Sequence, residues 1–151
     1  MTLLPHAARA ALLAVLDIAL HARGRPVSSK ELAARHALPP RRLEGLLQAL
    51  VHAGVLKSLR GPSGGYELAR ERRRLTLADI LRVALGVDEE EEGVEPNIAP
   101  VSLEAAITPA LQEIEAELFQ ILETVTLDDL CARALVVGFG SAERTQADFE
   151  I

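Results

Sequence analysis

Apolar residues recur at helical spacing early in the chain, where Leu12, Val15, Leu16 and Ala19 predict a helix over residues 5–22 that ends near Gly24. Ser28 followed by Glu31 has capping-box spacing: the hydroxyl and the carboxylate each bond a backbone amide that the helix itself leaves free. That box opens a short helix through Arg35. "HALPP" then reads as a turn, and a proline suits the first turn of the next helix, where its missing amide costs nothing. This second helix carries Leu43, Leu46, Leu47, Leu50 and Val51 on one stripe and stops at Gly54. Two short helices, a tight turn and an apolar stripe predict a helix-turn-helix.

After Gly54 the period changes to two. Val55, Lys57 and Leu59 alternate before "RGPSGG", and Tyr66 and Leu68 alternate after it, which predicts a hairpin. A phosphate-binding loop is excluded, because Gly65 leads into Tyr66 and a strand rather than into Lys-Ser/Thr and a helix. In "LTLADILRVAL", Thr76 and Asp79 hold capping positions before a helix expected to run to about Gly86. Residues 86–100, "GVDEEEEGVEPNIAP", cluster acids and prolines and predict a linker or mobile loop. Beyond it, Ile107, Leu111, Ile114, Leu118, Ile121 and Val125 recur at steps of four and three, an a/d stripe. Ser102 or Thr108 is expected to cap that helix, with Pro109 in its first turn or at a kink.

"TLDDLCARAL" predicts a last short helix, and the final residues a loose tail. The expected fold is therefore mainly α with a small β-hairpin wing. Residues 1–87 would form a winged helix-turn-helix domain and 88–101 an acidic linker. Residues 102–135 would hold the dimerisation helix and the C-terminal helix, and 136–151 a flexible tail.

Composition narrows the function. The single cysteine, Cys131, rules out an internal disulfide and a multi-cysteine metal cage, and it suits a reducing cytoplasm. The first apolar run is broken by His6, Arg9 and Asp17 and is too short to span a bilayer, so it reads as part of the fold rather than a signal peptide. A net charge of −6 conceals a division. Residues 1–87 hold 14 basic and 6 acidic side chains, a balance of +8, while residues 88–151 hold 2 and 16, a balance of −14. The basic half has the charge a nucleic-acid partner requires. No nucleophile, base and orienting group converge in the sequence, so an enzyme is not expected.

"ELAARHALPPRRLEGLLQALVHAGVLKSLRGPSGGYELA", followed by "LTLADILRVALG", resembles the Rrf-type winged-helix transcription regulators, the IscR/NsrR/CymR-like family. The match is strongest over residues 7–87, and "AGVLKSLRGPSGGYELAR" is its most specific part. The resemblance implies a DNA-reading unit and a long dimerisation helix. The face opposite the leucines holds Arg41, Arg42, Gly45 and Gln48: either arginine suits guanine and Gln48 adenine, while Glu44, in a family-like Leu-Glu position, suits cytosine or a neighbouring arginine. Arg60 on the wing is expected in a minor groove, with Ser63 and Gly64 against phosphates. Ser28, Ser29, Lys30 and Arg35 are candidate phosphate contacts, with capping the firmer role for Ser28.

Cluster-binding members of that family carry three closely spaced cysteines before the long helix, where this chain has "DEEEEGVEPNIAPVSLEAAI". No iron–sulfur cluster and no other cofactor is expected, because ligation needs several thiolates. Cys131 reads as a small buried residue. His6 reads as a surface residue, and His21, His36 and His52, scattered over the helical segments, suggest no metal site. These features predict a cytoplasmic homodimeric repressor that binds palindromic double-stranded DNA. No membrane association is expected, and an unidentified effector or protein partner stays open. The alternative is a winged-helix protein-interaction module with little DNA binding of its own.

Overall fold

The structure is a computed structural model that describes residues 4–21, 24–92 and 103–139. The described residues form six α-helices and one antiparallel hairpin: α1 (His6–His21), α2 (Ser29–His36), α3 (Pro40–His52), β1 (Leu56–Leu59), β2 (Gly65–Leu68), α4 (Leu77–Glu92), α5 (Leu103–Thr124) and α6 (Leu127–Val136). The expected tail falls almost wholly outside the described residues.

The first helix forms as its spacing predicts, and alanines hold most of its most deeply buried positions. Ala8, Ala11, Ala14, Val15 and Ile18 are buried, while Leu12, Leu16 and Ala19 are half-buried. Alanines let α1 approach α4, its most extensive neighbour, more closely than leucines would. Leu32 of α2, the leucines of α3, and Leu75, Ile80, Leu81 and Ala84 in and before α4 complete one buried cluster. Leu127 and Cys131 of α6 join that same cluster, so the C-terminal helix packs into the winged-helix core.

Two matching caps fix this docking. Thr76 and Asp79 form a reciprocal pair at the start of α4, and Thr126 and Asp129 repeat it at the start of α6. The two starts pair with each other: the Leu77 amide donates to the Val125 carbonyl at 2.9 Å, and the Leu127 amide to the Leu75 carbonyl at 2.8 Å. Val125 therefore lies past the end of α5, in this bridge, and is not the last member of a helical stripe.

Two further expectations change, and the expected hairpin gains a register. The α4 helix runs on through Glu92, so the acidic run begins as helix instead of linker; residues 93–102 lie outside the described region. Thr108 lies one turn inside α5, where its hydroxyl donates to the Glu104 carbonyl, and Pro109 lies within the helix as well; Ser102 is outside the described residues. In the hairpin, Leu56 faces Leu68 and Ser58 faces Tyr66, so the inward position of β1 is Leu56, with Lys57 and Leu59 outward. Lys57 pairs instead with Glu67 across the outer face.

Candidate nucleic-acid interface

The helix-turn-helix begins at the Ser28 cap. The Ser28 hydroxyl accepts from the Glu31 amide at 3.2 Å, and the Glu31 carboxylate accepts from the Ser28 amide at 2.9 Å. That amide bond is the main reason the Glu31 carboxyl is held below its usual range, with Arg25 adding to it. Ala37 adopts a left-handed conformation to close α2, and Pro40 opens α3 three residues later. Leu43, Leu46, Leu47 and Leu50 are buried, which turns Arg41, Arg42, Glu44 and Gln48 outward, all exposed. Gly45 lies among them with open space where a Cβ would stand, so the helix backbone is bare on this face.

The wing stands beside this helix on its own backbone contacts. A Cβ on Gly64 would lie 2.3 Å from the Leu59 carbonyl oxygen, and one on Gly65 2.5 Å from that of Val27. These glycines are required first by the wing itself, whatever they allow DNA to do. Val27 adds a third short edge, exchanging hydrogen bonds with Tyr66 at 3.0 and 2.8 Å, and ties the wing to the start of α2. Tyr66 is half-buried against the core, while Arg60 and Ser63 are exposed at the tip.

The other candidates divide. Lys30 is exposed and Ser29 half-buried at the start of α2. The Ser28 hydroxyl is engaged in the cap, and Arg35 lies 3.0 Å from the buried carboxylate of Asp17. Asp17 is the residue that sequence reasoning missed. Its side chain is 1 % exposed; His36 Nε2 donates to Oδ2 at 2.6 Å, and His21 Nδ1 lies 3.1 Å from Oδ1. Among the described residues Oδ1 accepts no well-aligned hydrogen bond and is held by charge. A buried carboxylate needs such partners. Two histidines that look scattered in sequence thus gather with Arg35 on one acid and lock α2 to α1. An acid within a run as apolar as "ALLAVLDIAL" was the available signal.

A second feature absent from the sequence reading is the basic turn Arg72–Arg74, where Arg72 and Arg73 lie 3.4 and 3.7 Å from Asp128 of α6. Cys131 sits just beneath, buried. Desolvation pushes its thiol up from the ordinary value, although nearby Arg72 pulls the other way. On α5, Phe119 and Leu122 pack against the core, and Arg82 pairs with Glu123 at 2.8 Å while stacking over the Phe119 ring. Ile107, Leu111, Ile114, Leu118 and Ile121 face away, exposed. Among the described residues no helix is long and apolar enough to cross a membrane.

Comparison with known proteins agrees with this geometry. Residues 4–133 match the Rrf2 family, described as an iron-dependent transcriptional regulator. The HTH-type transcriptional regulator CymR of Bacillus subtilis is 34% identical over 116 residues, covering 74% of this chain and 76% of its own. Protein rrf2 of Nitratidesulfovibrio vulgaris is 31% identical over 117 residues, covering 77% and 78%. Among solved structures, CymR, the global cysteine regulator of B. subtilis, superposes with a TM-score of 0.65 at 29% identity over 88% of this chain and 98% of its own. IscR of T. potens gives a TM-score of 0.65 at 29% identity over 88% of each chain. With its helix-turn-helix, its wing and these relatives, the chain belongs to the Rrf2 family and is a DNA-binding, winged-helix transcriptional regulator.

Proposed function

We propose that this regulator is a cytoplasmic homodimeric repressor that reads a palindromic DNA operator and works without an iron–sulfur cluster. The observation that carries the reading is the outward face of α3, where Arg41, Arg42, Glu44 and Gln48 stand exposed, as do the wing-tip residues Arg60 and Ser63. An exposed helix of this kind fits a major groove, and the wing arginine fits the adjacent minor groove. Lys30 and Ser29, at the start of α2, are the phosphate contacts in this reading. Arg35 contributes by fixing α2 on Asp17, and its removal would act on the fold as well as on DNA.

Dimerisation rests on the exposed stripe of α5, five large aliphatic side chains that no part of the described chain covers. A two-fold mate offering the same stripe buries both. Two recognition helices so joined demand two half-sites spaced by whole helical turns. Occupying a promoter in this way suffices for repression.

The donor set does not suit a cluster. Several thiolates are needed, whereas the chain has one cysteine, buried in α6 with its thiol pushed toward the protonated form. Protein purified without oxygen is expected to be colourless. About two or four irons per subunit, with sulfide, would overturn this part of the proposal.

Selection from random duplexes tests the main reading. One palindromic motif should be enriched, and Arg41→Ala or Arg42→Ala should cost about 1–3 kcal/mol and relax one base position. Arg60→Ala should weaken binding most where the flanks are A·T-rich. No enrichment, with all three variants binding like the parent, would favour a protein-interaction module.

A further inference from the structure

A cleft of about 750 Å³ lies between α1, the α2–α3 turn and the first turns of α3. Its volume is in the range of small-molecule sites, roughly 300–1,000 Å³. Leu13, Leu38, Leu43 and Leu46 give it an apolar floor. Among the described residues, every titratable side chain on its wall is basic: His6, Arg9, His36 and Arg42, with no aspartate or glutamate among them. His36 is already committed to Asp17, but among the described residues Arg9 and Arg42 have no side-chain hydrogen bond or ion pair. At the same edge α3 begins without a side-chain cap and without an acid in its first turn. The positive dipole end and the amides of Arg41 and Arg42, the two that the prolines leave there, therefore add to the attraction for an anion.

We infer that this cleft binds an organic monocarboxylate with an apolar body, the carboxylate taken by Arg9 and Arg42 and the body laid on the leucine floor. A bare inorganic anion would use the arginines and leave the floor wet. An apolar cation would meet the like charge of Arg9 and Arg42. An arginine fork matches a carboxylate geometrically, and desolvation by the floor strengthens the pair. Because Arg42 also belongs to the DNA-reading face, the ligand and the operator compete for it. That competition rests on the proposed function, whereas the binding itself does not.

The experiment is a calorimetric titration of octanoate into the full-length chain in the absence of DNA, with inorganic phosphate and octylamine as comparisons. Saturable binding of octanoate at one site per chain is expected, with phosphate and octylamine much weaker. Arg9→Ala, on an exposed position outside the DNA-reading face, and Arg42→Ala should each weaken it by about tenfold or more. No saturable heat, equal binding of phosphate or octylamine, or unchanged affinity in both variants overturns the site. Binding confined to a monomeric Leu118→Glu variant also overturns it, since the cleft would then be covered by a second copy. Operator titrations with and without octanoate test the competition separately. A protein that takes octanoate but no DNA would sink the functional reading and leave the cleft standing.

Discussion

Leu43, Leu46, Leu47 and Leu50 of α3 are at most 3% exposed, whereas Ile107, Leu111, Ile114, Leu118 and Ile121 of α5 stand 43–63% exposed. Both sets repeat at helical spacing, and both are as apolar as a core face needs to be. The difference lies in what surrounds each helix. α3 is enclosed by α1, α2, α4 and the wing base, while α5 meets its own chain along the Phe119 and Leu122 side. An apolar period states that a face will be covered. It does not state whether the same chain or another covers it.

The largest expected effect breaks the α5 side of this contrast. Leu118→Glu should convert a dimer into a monomer in sedimentation at micromolar concentration. Each of the two copies forfeits a buried leucine worth about 1.5–3 kcal/mol and gains a charge. A stable monomer in the unmodified protein would refute the dimer outright. On the α3 side, Leu47→Ala should lower unfolding stability by about 2–5 kcal/mol in denaturant titration. The same truncation at Leu118 should leave the unfolding of a dilute, monomeric sample within about 0.5 kcal/mol of the parent. Equal losses at the two positions would erase the distinction.

A smaller effect tests how α2 is held for α3. Ser28→Ala should cost about 1 kcal/mol through loss of the cap, measured by thermal unfolding. The cap also carries a pH dependence. The Glu31 carboxyl is lowered in the folded state, so its contribution is complete above the ordinary glutamate value of about 4.3 and is lost as the pH falls through the lowered one. Glu31→Gln should flatten this acid limb, and an unchanged limb would show that the cap contributes nothing to it. The smallest effect concerns Cys131, whose burial raises its thiol. A thiol reagent at neutral pH should label it far more slowly than free cysteine and reach it freely only in denaturant. Rapid labelling of the native protein would mean that α6 does not stay docked.

Much of the candidate interface was legible because its signals are local. The Ser28–Glu31 box, Pro40 at a helix start and the leucines of α3 are set by residues a few positions apart, and the structure places each as its spacing predicts. Asp17 was not legible in the same way, since its partners lie four, 18 and 19 positions away on two helices. Which face of α1 is most deeply buried was not legible for a related reason. Size and hydropathy favour the leucines, but close approach to α4 favours the small residues.

The sequence by itself determined the order of the helices, the capped starts, the glycine-rich wing and the division of charge, because short-range geometry and composition dictate these. Only the tertiary structure decided that α6 shares the winged-helix core, that Val125 closes a bridge instead of extending a stripe, and that Leu56 is the inward strand position. Those outcomes depend on which surfaces meet, and residues distant in sequence, such as Leu75 and Leu127, supply the backbone partners that settle them.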